Sequence, residues 1–166
     1  MLRKLYPDEY LDSTYAIDFE GLYRQGYRGV LFDVDNNLVP HDAPADDRAR
    51  ELFRRLHSIG FATCLISNNK EPRVRSFARQ VGTMYVFKAG KPKPRGYLAA
   101  AKKMRTNKDN TILVGDQIFT DVLGARLAGM RSIMVKPIHP KEEIQIVLKR
   151  YLEKIVLFFY LRKNKK

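Results

Sequence analysis

The chain is poor in cysteine, in long apolar runs and in acids, and each shortage excludes something. The one cysteine, Cys64, lies inside the apolar run FATCLIS. A single buried thiol builds neither a disulfide framework nor a cysteine metal site, which points to a reducing, cytoplasmic compartment. No stretch reaches the roughly 18 uncharged apolar residues of a membrane span. The opening MLRKLYPDEYLD has no apolar signal core. No internal repeat or low-complexity segment is present. What is there is globular: 45% of the residues are apolar, and 166 residues suit one domain with a substantial core.

Acids number 18 against 31 Lys and Arg, for a net charge of +13. Residues 70–108 hold twelve basic residues and one acid, Glu71, a local +11. Residues 136–166 hold nine basic and three acidic residues, a local +6. The remainder is slightly acidic, and it contains all four aspartates singled out below. An acidic centre flanked by basic surface suits an anionic substrate carried on a larger anionic body.

Short apolar runs bounded by turn signals recur at 29–32, 61–66, 84–87, 111–114 and 131–135. Between them lie helical patterns. In 46–59, Ala49, Leu52, Phe53, Leu56 and Ile59 repeat at helical spacing, and Gly60 closes the C-terminus. Pro72 suits a first helical turn and is followed by Val74, Phe77, Ala78 and Val81. Residues 95–104 and 121–128 are further helix candidates. The alternation predicts an α/β fold, a Rossmann-like three-layer α/β/α core around a mostly parallel five-stranded sheet. Thirty-four residues separate Asp33 from Ser67 and twenty-four separate Ser67 from Lys91. Each interval is filled by one helix and its neighbours, so no lid domain is expected. The expected division is a lead-in at 1–28, a catalytic core at 29–138 and a basic amphipathic helix at 139–166.

Two runs carry the chemistry, LFDVDNNLVP at 31–40 and LVGDQIFTD at 113–121. Each starts apolar and ends in acid, as a buried parallel strand does when it delivers charge to its C-terminal edge. Carboxylates gathered there repel one another unless a cation neutralises them. A hard divalent metal fits, Mg²⁺ first. Of Asp33 and Asp35, one can attack phosphorus while the other exchanges a proton with the leaving oxygen. Asp116 and Asp121 can supply metal ligands from a neighbouring strand end. Ser67, followed by Asn68 and Asn69, offers a hydroxyl and nearby N–H groups to phosphoryl oxygens. Lys91, in KAGKPKP, can neutralise the reacting groups, with Lys88 and Lys93 as alternatives. His41, His57 and His139 lack the mutual spacing of a metal site and are read as surface or packing residues. The aromatics are not interleaved with bases as a base-stacking platform requires.

Taken in order, DVDNN, LISNN, GKP and GDQIFTD resemble the four motifs of the haloacid dehalogenase-like phosphohydrolases, over about residues 29–135. The pattern looks most like the capless class IIIA branch, the YqeG-type bacterial phosphatases, which are similar to mitochondrial phosphatidylglycerophosphate phosphatases. The lead-in LYPDEYLDSTYAIDFEGL resembles that branch as well. The resemblance implies Asp33 as nucleophile and Mg²⁺ ligand, and Asp35 as general acid and base with its carbonyl on the metal. It implies Ser67 and Asn68 on the phosphoryl group, Lys91 orienting Asp33, and Asp116 as a direct metal ligand. Asp121 would support the metal shell or Lys91. Asn37 departs from the usual Thr; its amide can still hydrogen-bond, so an altered rate is expected rather than lost function.

In the tail, Pro140 opens a last helix with Glu142 and Glu143 in its first turn, where acids suit the macrodipole. The pattern runs through Ile144, Val147, Leu148, Tyr151, Leu152 and Ile155, becomes apolar at 155–161 and closes in RKNKK. Such a helix can lie in the interface of an anionic membrane, or pack on the domain or on a second copy. The expectation is therefore a Mg²⁺-dependent phosphomonoester hydrolase, cytoplasmic and peripheral at the inner face of the membrane. Its expected substrate is an anionic lipid phosphate, with phosphatidylglycerophosphate leading. Two alternatives stay open: removal of phosphate from nucleic-acid ends, and a non-enzymatic RNA- or ribosome-binding protein with a relict site.

Overall fold

The structure is a computed structural model and describes residues 2–139 and 144–163. Its centre is a parallel sheet. The strands are β1 (Glu9–Leu11), β2 (Gly29–Phe32), β3 (Ala62–Ile66), β4 (Met84–Val86), β5 (Thr111–Gly115) and β6 (Arg131–Val135). They lie in the order β1-β6-β5-β2-β3-β4, six strands rather than the five expected. The added strand comes from the lead-in, where Tyr10 pairs with Met134 at the sheet edge. It is three residues long and half-buried, so no apolar run announces it.

The helices follow local chemistry. In α2 (Asp47–Ile59) the Asp46 carboxylate accepts the Ala49 N–H at 2.7 Å, and Gly60 ends the helix at φ +114°. The helix α3 (Glu71–Val81) carries Pro72 in its first turn. The helices α4 (Pro94–Lys103) and α5 (Leu123–Ala128) cover the opposite face, and α1 (Phe19–Arg24) precedes β2. The helix expected over 121–128 begins as α-helix only at Leu123, because residues 118–122 form a wider π turn in which the Val122 N–H donates to the Gln117 carbonyl at 3.2 Å. Asp121 accounts for this, because its carboxylate turns back to accept the Gln117 N–H at 3.1 Å.

Alternate residues of the central strands face opposite layers, as the two-residue period requires. Val30, Phe32, Leu65, Ile112 and Val114 pack with Phe53 and Phe77. Leu31, Cys64, Ile66 and Leu113 pack with Tyr97 and Ala125 on the other side. Every one of these is at most 1% exposed, which explains why the strands read as continuous apolar runs. In chain order the sheet grows from β2 outward through β3 and β4, then restarts at β5 on the other side of β2. The C-terminal ends of β2, β3 and β5 thus converge at a topological switch point, where open α/β sheets bind ligands.

The last helix, α6 (Ile144–Lys163), departs from simple amphipathicity. Val156 and the charged Glu153 are buried, while Tyr151, Leu152, Ile155, Phe158 and Phe159 are exposed. Val156 joins Ile118, Val122 and Met134 in a small third cluster, and Tyr160 packs edge-on against Tyr6, ring centroids 5.4 Å apart. The expected opening of this helix at Pro140 with Glu142 and Glu143, and the final residues 164–166, lie outside the described residues. Among the described residues no helix is long and apolar enough to cross a membrane.

Candidate active site

Each strand end contributes a side chain. Asp33 follows β2 directly, and its N–H donates to the Val114 carbonyl at 3.1 Å, tying it to β5. Ser67 follows β3 and is 3% exposed; its hydroxyl accepts the Asn69 N–H at 3.1 Å. Asp116 follows β5, and Asp121 lies in the π turn; neither has any exposed surface. Asp33, Asp35, Ser67, Asn68 and Lys91 line one pocket of about 230 Å³. Asp116 and Asp121 stand with Asp33, one carboxylate oxygen from each lying within 4.8 Å of the others.

Of the three candidate lysines, Lys91 is the one folded into the site. Its Nζ lies 3.0 Å from Asp33 Oδ1 and 2.7 Å from Asp121 Oδ1, with the side chain 5% exposed. Desolvation alone would lower its pKa, but Asp121 and Asp33 outweigh it and hold the ammonium above the ordinary lysine value. Asn68 pins the loop that delivers it. Its side-chain oxygen accepts the Lys91 N–H at 2.8 Å, and its amide donates to the Lys91 carbonyl at 3.3 Å.

Asn37 ties the Asp33 loop from below. Its amide donates to the carbonyls of Asp33 and Val114, both at 2.9 Å. The Thr14 hydroxyl in turn donates to the Asn37 side-chain oxygen. Sequence reasoning missed Thr14, which lies in the lead-in and carries no motif.

Asp35 is held from α3. Arg73 Nη2 donates to its Oδ1 at 2.7 Å, and the Asn69 amide donates to Oδ2 at 2.9 Å. Arg73 was hidden among the basic residues of 70–108. Arg150 and Glu153 were missed too, since they come from α6. Arg150 donates to Asp116 Oδ2 and to the Asp116 carbonyl, and to Glu153 Oε2 at 2.9 Å. His41, read as a surface residue, is half-exposed and lines the pocket, as does Lys149 of α6. His57 packs edge-on over Phe53 and hydrogen-bonds Thr63 Oγ1 at 2.8 Å, away from the site.

Burial, with the Asp121 and Asp35 charges adding to it, pushes Asp33 up to about 6 against the pull of Lys91. Burial and the neighbouring Asp33 and Asp121 likewise push Asp116 well above the carboxylate range, with Arg150 opposing. A bound cation would oppose both shifts. Asp116 Oδ1 is buried without a hydrogen-bond partner. An unpartnered buried carboxylate oxygen among hard oxygen donors is what a small divalent metal requires. The donor set fits Mg²⁺.

Residues 22–129 match the haloacid dehalogenase-like hydrolase family. The chain is similar to the probable phosphatase YqeG of Bacillus subtilis (strain 168), 33% identical over 166 residues, covering 99% of this chain and 96% of that protein. It is also similar to phosphatidylglycerophosphate phosphatase 1, chloroplastic/mitochondrial, of Arabidopsis thaliana. There the identity is 29% over 164 residues and 90% of this chain, which spans 46% of that protein's length. Among solved structures, a HAD family hydrolase from Deinococcus radiodurans R1, with bound phosphate and sodium, superposes with a TM-score of 0.56. The overlap covers 75% of this chain and 87% of that one at 17% identity, a likeness of fold.

Proposed function

From a chain that belongs to the haloacid dehalogenase-like hydrolases and is a phosphatase, we propose a Mg²⁺-dependent phosphomonoester hydrolase that works through an aspartyl-phosphate on Asp33. Its proposed substrate is an anionic lipid phosphate, with phosphatidylglycerophosphate first. In the first step an Asp33 carboxylate oxygen bonds to phosphorus as the ester P–O bond breaks. The electron pair leaves on the ester oxygen, which takes a proton from Asp35. In the second step a water oxygen bonds to phosphorus, Asp35 takes the water proton, and the bond between phosphorus and the Asp33 oxygen breaks. Lys91 offsets charge on Asp33 and the transferring group in both steps, and Ser67 and Asn68 hold the phosphoryl oxygens. Mg²⁺ held by the Asp33 and Asp116 carboxylates and the Asp35 carbonyl would supply further charge compensation at the phosphoryl group.

One observation carries the lipid assignment. The same helix brings Lys149 to the pocket lining and leaves Tyr151, Leu152, Ile155, Phe158 and Phe159 exposed. Apolar area of this kind calls for a partner. With Lys149, Lys154 and Arg162 also exposed on the helix, an anionic membrane interface suits it. The Arabidopsis relative's name supports the same substrate class. The enzyme is therefore proposed to sit peripherally at an anionic membrane face and take its substrate from there. Phosphate release from phosphatidylglycerophosphate in mixed micelles, measured beside a 5′-phosphorylated oligonucleotide, tests this. Preferential hydrolysis of the lipid is expected, and preference for the oligonucleotide would overturn it.

A further inference from the structure

The sheet-edge residues account for the nucleophile, the proton donor and the lysine, but Arg150 reaches the same centre from the far end of the chain. Its two terminal nitrogens divide their work. Nη2 donates to Asp116 Oδ2, and Nη1 donates both to the Asp116 carbonyl and to Glu153 Oε2. The Arg150 side chain is 16% exposed and Asp116 is wholly buried. Glu153 is 3% exposed, and its other oxygen accepts the Ile118 N–H at 2.7 Å, at the start of the π turn that carries Asp121. The guanidinium is thus fixed on one side by Asp116 and on the other by a carboxylate that is itself fixed. A planar fork in that setting holds a carboxylate in one rotamer, which a flexible ammonium does not do.

What this leaves is informative. Arg150 covers Oδ2 of Asp116, and Oδ1 stays buried without a hydrogen-bond partner. The formal charges point the same way. Asp33, Asp116, Asp121 and Glu153 carry four negative charges, against two positive charges on Lys91 and Arg150. Among these described residues the acids outnumber the bases, an excess that a divalent cation would offset.

We propose that Arg150 is a positioning residue for the metal site, turning Asp116 so that Oδ1 alone is presented to the cation, and that α6 is thereby an arm of the active site. This rests on the metal-dependent reading above. Outer partners that orient a metal-ligating carboxylate typically contribute roughly 10–100-fold to metal affinity.

Calorimetric titration of the full chain with Mg²⁺, without substrate, tests the proposal on Arg150→Met, Arg150→Lys and Val156→Ala. Arg150→Met is expected to weaken Mg²⁺ binding roughly 10–100-fold. Arg150→Lys should recover part of that loss, because it restores the charge without the fork. Val156→Ala loosens the packing of α6 without touching Asp116; it should lower the melting temperature while leaving Mg²⁺ affinity within about twofold. Unchanged or tighter binding in Arg150→Met, or in Arg150→Lys should the Met variant not fold, overturns the proposal. Equal weakening by Val156→Ala also overturns it, since the effect would then belong to packing. Failure of the unaltered chain to bind Mg²⁺ would instead sink the metal-dependent reading itself.

Discussion

The Lys91 ammonium lies 3.0 Å from Asp33 Oδ1, so the proposed nucleophile carries its counter-ion with it. That counter-ion does not fully compensate Asp33, whose carboxyl is pushed up to about 6 by burial and by its acidic neighbours. Function and stability should therefore part at this residue. Asp33→Asn removes the proposed nucleophile and is expected to lower turnover of an aryl phosphate with Mg²⁺ by at least about 10³-fold. With the metal chelated, the same change should raise the melting temperature. The sign follows from linkage. A carboxyl whose folded pKa lies above its unfolded value stabilises the fold when protonated, and that contribution is lost as the pH rises through about 6. The variant's advantage in EDTA should thus be larger at pH 7.5 than at pH 5, by about 3 °C or more. A melting temperature below wild type at both pH values would remove the argument.

Much of this centre was legible because burial on both faces turns a parallel strand into an apolar run, and the run stops where a polar side chain begins. Phe32–Asp33, Ile66–Ser67 and Gly115–Asp116 all mark that switch. The residues that were not legible are those whose role depends on three-dimensional return. The edge strand at Glu9–Leu11 lacks an apolar run because it is only half-buried. Arg73 sits among twelve basic residues in 70–108, and charge pattern alone does not say which one folds onto Asp35. Arg150 was harder still. The apolar side chains of α6 drew attention to a membrane or a dimer, while the side turned to the core delivers an arginine and a glutamate.

Asn37 is the next test. At 2% exposure it serves two carbonyls with one amide and takes a hydroxyl on its oxygen. Asn37→Ala takes the amide donor from both carbonyls, although Val114 keeps the Asp33 N–H and Thr14 keeps the backbone carbonyl of residue 37; it should destabilise the fold by about 1–3 kcal/mol in urea unfolding. Asn37→Thr brings one hydroxyl proton, enough for one carbonyl, and should lose about 1 kcal/mol while keeping turnover within roughly tenfold. An alanine variant as stable as wild type would show that the bridge between the two strand ends adds nothing.

Cys64 should be chemically silent. It has no exposed surface, and burial pushes its thiol up to about 12, so at neutral pH it is neither ionised nor reachable. Dithionitrobenzoate at pH 8 is expected to leave the native chain unlabelled and to react once guanidinium unfolds it. Rapid labelling of the native chain would contradict the burial of β3.

The position of Asp121 depends on a residue with no side chain. A Cβ added to Gly115 would stand 2.5 Å from the Asp121 carboxylate, closer than such atoms approach. Asp121 is fully buried, with one oxygen on Lys91 at 2.7 Å and the other on the Gln117 N–H at 3.1 Å, so it cannot yield without breaking one of these bonds. Gly115→Ala is therefore expected to displace the carboxylate that anchors Lys91 while the strand itself remains paired. Lys91 then loses one of the two contacts that set its position against Asp33. Misplacement of a catalytic group by about 1 Å is worth up to about 10²-fold in rate. A fall of about 10–100-fold in kcat with KM little changed is the expected result, alongside a stability loss of about 1–3 kcal/mol from overpacking. Steady-state kinetics with an aryl phosphate and a melting curve on the same sample separate the two effects. If kcat is unchanged while stability drops, Asp121 is a packing residue and Lys91 is positioned by Asp33 and the Asn68 bonds alone.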